Sequence, residues 1–307
     1  MIRTAWSVRP CRQLAKYNTT GRLEGRLNTM PGDARRITIK DDLGDRFEFD
    51  APPSRIVSLV PSITETLFEL GGGDRVVGVT DYCIHPRDGV GDIPKLGGTK
   101  QVILDRVAGL EPDLAVANKE ENRRSDVDQL RRVCPVFVTD PRTVEQAAKT
   151  VLDLGILTGC TKEAAGISAL IESMLSTIQP AVLKRRLRTA CFVWRDPWMA
   201  VGPDTYVADL LDTFGFENVF TDNDGRYPCT TLEAVLDRRP EVVMLPDEPF
   251  AFGPSEAREI ETCFVERGAP VEILAMDGTL LTWFGYRTAR GLEYLRRAKT
   301  RLLANKE

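Results

Sequence analysis

The sequence is poor in the residues that build metal and disulfide sites. It holds one histidine, His85, and seven scattered cysteines with no CxxC pair among its 307 residues. That pattern argues against a zinc site and against a disulfide framework, and it is more usual in a reducing compartment. No apolar run approaches about eighteen residues, so the sequence predicts no transmembrane helix. A formal net charge of −4 gives no support for nucleic-acid binding.

Motifs for catalysis are missing as well. The chain has no GxSxG, GxGxxG or P-loop motif, and Gly97-Gly98-Thr99-Lys100 lacks the spacing of a phosphate-binding loop. A Ser-His-Asp triad could form only through His85, and nothing in the sequence places a nucleophile beside it. The carboxylate pair Asp41-Asp42 falls in turn-forming sequence. We therefore predict that the protein is not an enzyme.

The most informative stretch is a strand–helix–strand unit. Residues 56–60 form a short apolar run rich in β-branched side chains, which predicts a buried parallel strand. Ser62 precedes Glu65 by three residues, a capping-box pattern that predicts the start of a helix. Glycines at 71–73 end that helix, and a second strand begins at Val76. In a parallel sheet the strand-to-helix turn lies at the edge where open α/β sheets bind ligands.

The rest of the chain alternates strands and helices in two halves around a longer helical stretch. We predict an α/β fold, with two α/β lobes whose central sheets are mainly parallel, joined by one long rigid helix. The predicted boundaries are residues 37–160 for the first lobe, 161–187 for the linking helix and 188–307 for the second lobe. A helix of roughly 25 residues is about 38 Å long. The groove between the lobes is the expected ligand site.

The first 36 residues differ from the rest. They carry eight arginines and lysines against two acids, and they lack the apolar core of about seven to fifteen residues that a secretory signal needs. Either the segment is a disordered basic arm or the true start is Met30. We favour Met30, because it leads straight into regular sequence. The alternating runs 37–39 and 47–49 then predict a β-hairpin.

The loops carry aromatic side chains rather than catalytic groups. The loop at residues 81–98 is rich in Gly, Pro and Asp and is long enough to be functional. Large flat side chains at strand ends suit a large, partly apolar ligand that binds by stacking and burial, although each ring alone is equally consistent with core packing. The set is Tyr82, Trp194, Trp198, Tyr227, Trp283, Phe284 and Tyr286.

Several segments in combination resemble the iron-siderophore and vitamin B12 class of periplasmic binding proteins. They are residues 55–65, 77–86 and 110–115 in the first half, and 198–202, 210–220 and 239–243 in the second. The resemblance implies the class III fold of two α/β lobes joined by one long helix. It also implies delivery of a chelated metal or corrinoid to the membrane permease subunits of an ABC importer. We expect a monomer that needs no cofactor of its own.

Within that class the chain is most similar to cobalamin-binding proteins. The resemblance assigns ligand contacts to five aromatic residues: Tyr82, Trp198, Tyr227, Trp283 and Phe284. Thr99 stands where similar proteins carry a tryptophan, and this departure leaves a siderophore or another macrocycle as alternatives. His85 is a candidate axial ligand for corrinoid cobalt or haem iron, with a hydrogen-bonded loop histidine as the alternative.

The resemblance further implies one acid on each lobe that docks on arginines of the permease. The matching residues are Asp105 and Glu233, whose alternative role is to stabilise the start of a helix. The same resemblance implies a periplasmic or extracytoplasmic location. A cytoplasmic location is the alternative, because the sequence shows no signal peptide.

Three functions therefore stay open. The first is transport-linked binding of cobalamin or a related corrinoid. The second is binding of an iron-siderophore or haem, which Arg195, Arg226 or Arg287 would favour if they face the groove, since those ligands are anionic. The third is a cytoplasmic module that binds a corrinoid or metal chelate, or an enzyme that uses the same cleft.

Overall fold

The computed structural model describes residues 36–178 and 185–304. The predictions made for the basic segment at residues 1–36 lie outside the described residues, Arg36 excepted. The first lobe contains β1 (Ile37–Lys40), β2 (Arg46–Phe49), β3 (Ile56–Ser58), α1 (Pro61–Glu69), β4 (Val76–Val79), α2 (Arg87–Val90), β5 (Gly97–Gly98), β6 (Gln101–Val102), α3 (Leu104–Gly109), β7 (Leu114–Asn118), α4 (Arg124–Leu130) and β8 (Val136–Thr139).

Two longer helices follow, and the second lobe then alternates strands with helices. The long helices are α5 (Val144–Thr158) and α6 (Thr161–Ser176). The second lobe contains β9 (Leu187–Trp194), β10 (Met199–Ala200), α7 (Tyr206–Asp212), β11 (Phe216–Asn218), α8 (Leu232–Asp237), β12 (Val242–Pro246), α9 (Pro254–Glu266), β13 (Glu272–Met276), α10 (Gly278–Thr282) and α11 (Thr288–Ala304).

The first lobe is organised around a parallel sheet in the order β4-β3-β7-β8. Every residue of β3, β7 and β8 is buried, as expected for strands covered on both faces by helices. The predicted hairpin β1-β2 is confirmed, and it covers the edge of β8. Asp41 Oδ2 accepts a hydrogen bond of 3.1 Å from Val138 N, and Asp42 Oδ2 accepts one of 2.7 Å from Asp140 N. Covering the edge protects it from pairing with other chains.

The second lobe is organised around parallel strands β9, β12 and β13, with β11 also parallel to β9 and β10 antiparallel to it. The predicted class of fold, two α/β lobes with mainly parallel sheets, is confirmed. The lobes share one apolar core, which contains Leu67 of α1 together with Leu210 of α7 and Leu292 of α11. The lobes are therefore packed directly against each other along one side of the groove.

Three predicted details of the helices are wrong. Helix α1 begins at Pro61 with Val60 as its N-cap, and Ser62 lies inside the first turn. Proline is favoured at the first helical position because its φ is already helical and its missing N–H has no partner there. The sequence also predicts a helix over residues 205–214 with Asp204 as its cap. In the structure the cap is Thr205, whose hydroxyl accepts from Ala208 N at 3.2 Å.

The third correction concerns the linking helix. Helix α6 ends at Ser176 rather than at residue 187, and Leu187 already belongs to β9. The hydroxyls of Ser176 and Thr177 bond to carbonyls of the last turn at 2.8 Å each, which competes with continued helix. None of the helices in the two described ranges combines the length and apolar character needed to cross a bilayer.

Candidate functional site

The loops that follow the strands of the two sheets meet between the lobes. His85 comes after β4, and its ring lies edge-on to Trp283, which comes after β13, with the ring centroids 5.8 Å apart. Glu120 comes after β7 and accepts a hydrogen bond of 2.8 Å from the hydroxyl of Tyr227 in the second lobe. Open α/β sheets bind ligands at the carboxyl ends of their strands. This groove is therefore the candidate site.

One end of the groove is held by a buried ion pair. Arg287 Nε donates to Glu65 Oε2 at 2.5 Å and Arg287 Nη2 to Glu65 Oε1 at 2.8 Å. The Arg287 guanidinium also lies 4.6 Å from the centroid of the Trp283 ring. Beside it, Tyr286 N donates to Thr66 Oγ1 at 3.1 Å. A bidentate pair and a stacked guanidinium both demand defined geometry, so these contacts fix the position of Trp283 relative to α1.

The middle of the groove is acidic. Glu248, which follows β12, accepts a hydrogen bond of 2.7 Å from Trp283 Nε1. Burial raises the pKa of Glu248, and the charge of Asp247 adds to that rise. Glu121 of the first lobe has a solvent-exposed side chain, but the protein around its carboxyl raises its pKa, and the carboxylates of Glu248 and Glu120 raise it further against the opposing charge of Lys100.

The other end of the groove is a second contact between the lobes. Arg226 Nη2 lies 2.7 Å from Glu120 Oε1, and Arg226 Nη1 lies 3.4 Å from Asp140 Oδ1. Asp140 also pairs with Arg142, whose other nitrogen lies 2.6 Å from Asp204 in the second lobe. Burial raises the pKa of Glu120, although the Tyr227 hydroxyl and Arg226 oppose that rise.

These contacts form a line across the groove, which we call the inter-lobe row. It consists of Glu65, Arg287, Trp283, Glu248, Glu121, Glu120, Tyr227, Arg226 and Asp140. Both arginines of the row are ion-paired with acids of the opposite lobe. Arg195, the third arginine predicted as a candidate for the groove, instead lies 4.5 Å over the Trp198 ring and pairs with Glu259 at 3.0 Å. An anionic ligand would thus meet arginines that are already neutralised.

Tyr82 is the predicted contact residue with the most accessible ring, since it is 63% exposed. It lies against the β5-β6 hairpin, where a Cβ on Gly98 would stand 3.3 Å from its ring carbon Cε2. Thr99 lies in the two-residue turn of this hairpin. It is buried, and its carbonyl accepts from Asn122 Nδ2 at 3.0 Å. Glycine and a tight turn thereby let an aromatic ring lie along the backbone.

Two other predicted contact residues are packed in the apolar cores. Trp198 is 7% exposed and stacks on Phe252 with the ring centroids 5.9 Å apart, inside the second lobe. Phe284 is 8% exposed and packs edge-on against Tyr206 at 6.2 Å in the shared core. The structure therefore does not bring these two rings together with Tyr82. Trp283 is equally buried, at 6% exposed, but its ring lies between the lobes against His85.

His85 is present in the form that coordinates metals. Partial burial lowers its pKa below the ordinary value of 6.5, and the positive charge of Arg287 lowers it further. Its imidazole is therefore neutral at neutral pH, with a nitrogen lone pair to offer. Within residues 36–178 and 185–304, no three histidine, cysteine or acidic side chains are grouped as a metal site.

The two predicted docking acids lie on the surface of different lobes. Asp105 is in the first turn of α3 and Glu233 in the first turn of α8, and both are exposed. The backbone N–H of Glu233 and the Thr231 hydroxyl lower the pKa of the Glu233 carboxyl, which is the pattern of an acid at a helix start. Docking on a permease stays a prediction.

The acidic part of the groove was not predicted from the sequence. Glu120 and Glu121 follow the buried strand β7 within three residues, and Glu248 follows β12 within two. Charged residues directly after a buried strand were the available signal, because strand ends in parallel sheets line ligand sites. The aromatic residues of the loops gave no indication of these carboxylates.

The chain is similar in sequence to known binding proteins. A family model described as periplasmic binding protein matches residues 56–253. A vitamin B12-binding protein of Vibrio parahaemolyticus is 23% identical over 194 residues, which is 62% of this chain and 70% of the relative. A vitamin B12-binding protein of Yersinia pestis is 25% identical over 193 residues, covering 62% and 69%.

Solved structures share the fold. A periplasmic vitamin B12-binding protein of Vibrio cholerae has a TM-score of 0.70 and 21% identity, over 83% of this chain and 99% of its own. A periplasmic haem-binding protein from Roseiflexus has a TM-score of 0.66 and 22% identity, over 80% and 97%. At 21% and 22% identity, the similarity to these structures shows a shared fold.

Proposed function

Because the chain belongs to the periplasmic binding protein family, we propose that it binds a corrinoid such as cobalamin in the groove between its lobes. It carries out no chemical reaction on that ligand and passes it to an ABC importer. The similarity to vitamin B12-binding proteins of two bacterial genera supports this proposal.

The observation that carries the proposal is the polar lining of the groove. Arg226 and Arg287 are already paired with acids, and Glu121 and Glu248 add further carboxyl groups. Siderophores and the propionates of haem are anionic and need unpaired cations. A corrinoid instead presents neutral carboxamides around a flat ring, and amide N–H groups are suitable donors to carboxylates.

The apolar face of such a ligand has candidate partners among the exposed aromatic rings of both lobes. Tyr82 offers an exposed ring from the first lobe, and Trp194 offers another, 44% exposed, from the end of β9 in the second. Flat rings bind to aromatic faces by burial and stacking. The neutral imidazole of His85 is then available as an axial ligand to the cobalt.

Haem is the second candidate. It is favoured by the position of His85 against Trp283, since an imidazole is also a common axial ligand of haem iron. The likeness in fold to a haem-binding protein agrees with either ligand. The paired arginines favour the corrinoid, because they leave the propionates without partners in the row.

Absorbance spectroscopy tests the proposal. The purified protein is incubated with cyanocobalamin, haem or a ferric siderophore and then desalted. Corrin bands that stay with the protein support the proposal, and a band shift that is lost in His85→Ala assigns the axial ligand. Retention of haem or siderophore bands alone would overturn it in favour of the second candidate, and retention of none would remove the transport role.

A further inference from the structure

The contact between Glu120 and Arg226 is unusual in its hydrogen bonding. Across the described part of the chain, the buried side-chain polar atoms that lack a hydrogen-bond partner are Glu120 Oε1, Arg226 Nε and Arg226 Nη2. All three belong to this one contact between the lobes. Buried polar atoms in folded proteins are nearly always paired, so an exception calls for an explanation, such as a partner from outside the chain.

The remaining atoms of the two side chains are held in position. The Tyr227 hydroxyl donates to Glu120 Oε2 at 2.8 Å, and Asp140 Oδ1 accepts from Arg226 Nη1 at 3.4 Å. Arg226 Nη2 and Glu120 Oε1 are 2.7 Å apart, but they are not aligned for a hydrogen bond. At the end of the inter-lobe row, Arg226 Nη2 and Glu120 Oε1 thus form an ion pair without a hydrogen bond, and Arg226 Nε has no acceptor.

The chemistry of these atoms selects one kind of group. A primary carboxamide has a carbonyl that accepts from the Arg226 nitrogens and an N–H that donates to Glu120 Oε1. A carboxylate has no donor for Glu120 and is repelled by Glu120 and Asp140. An ammonium group has no acceptor and is repelled by Arg226. Since the charges of Glu120 and Arg226 cancel, a neutral dipolar group is the best match.

We propose that Glu120 and Arg226 form a subsite for a carboxamide of the ligand, and that it selects corrinoids with an amidated periphery over those with free carboxylates. This inference rests on the proposed corrinoid function and adds the basis of its selectivity. When the ligand enters, the carboxamide inserts between the two side chains, which move apart to admit it.

Equilibrium titration with two corrinoids tests this. Cobyrinic acid carries free carboxylates, and its heptaamide carries carboxamides at the same positions. Each corrinoid is titrated at neutral pH into the wild type and into three variants, Glu120→Gln, Arg226→Gln and Glu259→Gln. Binding is followed by corrin absorbance. Glu259 also pairs with an arginine, Arg195, but in the second lobe beside Trp198, so its variant controls for the loss of one negative charge.

Wild type is expected to prefer the heptaamide. In Glu120→Gln, Arg226 can pair with a carboxylate of cobyrinic acid. The ratio of the affinity for the heptaamide to that for cobyrinic acid should therefore fall about tenfold. Arg226→Gln removes the attraction for a carboxylate and shifts the preference the other way, while also weakening the heptaamide. Glu259→Gln keeps the wild-type preference. If the contact only held the lobes together, Glu120→Gln and Arg226→Gln would not be expected to shift the preference for the heptaamide in opposite directions.

Preferences that stay within twofold of wild type in both variants, with the heptaamide still bound, would overturn the subsite and leave the corrinoid function standing. A wild type that binds neither corrinoid would overturn the corrinoid function itself, and the subsite with it. Circular dichroism melting accompanies each titration. If one variant fails to fold, the direction of the shift in the other decides.

Discussion

Glu65 and Arg287 lie 222 positions apart in the sequence and form a bidentate ion pair between the lobes. Their side chains are only 8% and 11% exposed, respectively. A pair removed from water in this way is held by geometry and not by charge alone. It joins the first helix after the central strand to the loop that carries Trp283, and it therefore sets the width of one end of the groove.

Removing one partner of this pair should destabilise the protein strongly. Glu65→Gln leaves the buried Arg287 charge uncompensated, and we expect the free energy of unfolding to fall by about 3–5 kcal/mol. The double variant Glu65→Gln/Arg287→Met should lose less free energy of unfolding than the single variants Glu65→Gln and Arg287→Met lose when their losses are added. Urea unfolding of the two single variants and the double variant measures these losses.

Asp128 provides the control for that experiment. It pairs with Arg124 on the exposed face of α4, where the two side chains are 51% and 95% exposed. Asp128→Asn should change the free energy of unfolding by less than about 1 kcal/mol. Equal losses for Glu65→Gln and Asp128→Asn would show that the inter-lobe pair is no stronger than a surface pair.

Gly285 lies where the two lobes approach each other closely. Its φ is +97°, and a Cβ there would stand 2.4 Å from Thr66 Oγ1 of the other lobe. Gly44 has a φ of +91° with no atom within 4 Å of the same position. Gly44→Ala should cost about 1–2 kcal/mol from backbone strain alone, and Gly285→Ala should cost clearly more because of the clash. Thermal unfolding that gives equal losses would argue against tight contact at Gly285.

The acidic middle of the row gives stability a particular dependence on pH. Burial raises the pKa of Glu121 and Glu248 above the ordinary value of 4.5, so the folded state binds protons more readily than the unfolded state. Stability should therefore fall as pH rises from 4.5 through the raised pKa values. The double variant Glu121→Gln/Glu248→Gln should flatten this fall and be more stable than wild type at pH 7.

Glu233→Gln is the matched control, because the pKa of that exposed carboxyl is lowered rather than raised. Removing the Glu233 carboxyl should leave the decrease in stability between pH 4.5 and 7 the same as in the wild type. Urea midpoints at several pH values measure each profile. A wild-type stability that climbs steadily over this range would contradict the raised pKa of these two carboxyls.

The sequence predicted the elements far better than the site. Buried β-branched runs such as Ile56–Ser58 are determined locally, and this strand lies within the residues predicted for it. Boundaries failed where a local signal had a competitor: the capping-box pattern at Ser62 gave way to Pro61, which already satisfies the first helical position. The helix predicted to reach residue 187 ended at Ser176 for similar reasons.

The site depends on contacts between distant parts of the chain. Nothing local tells Trp283, which faces His85, from Phe284, which packs in the core, although they are neighbours in the sequence. Tyr227 meets Glu120 across 107 positions. Such pairs follow from how the two lobes pack, and a single sequence carries no periodicity that reports them.

The difference between groove and core can be tested with two tryptophans. Trp283→Leu removes a ring that lies between the lobes, and we expect it to weaken cyanocobalamin binding at least about tenfold. Trp198→Leu removes a ring stacked on Phe252, and it should lower the unfolding temperature while leaving the affinity within about twofold. Fluorescence titration and thermal unfolding separate the two effects. An affinity loss confined to Trp198→Leu would contradict this assignment.

Docking on the importer can be tested without disturbing the groove. The double reversal Asp105→Lys/Glu233→Lys should leave corrinoid affinity unchanged and reduce uptake by a reconstituted importer, since one exposed acid on each lobe would face arginines of the permease. Asp74→Lys/Glu272→Lys reverses one exposed acid on each lobe elsewhere and should transport normally. Unchanged uptake in the first variant would exclude these two acids as docking residues.

The measurement that bears most directly on the central claim is calorimetric titration of the purified protein with cyanocobalamin, followed by haem as a competitor. We expect one corrinoid per chain, with an affinity that haem does not displace and that falls in Trp283→Leu. No heat of binding with the corrinoid, or a corrinoid displaced stoichiometrically by haem, would contradict the account.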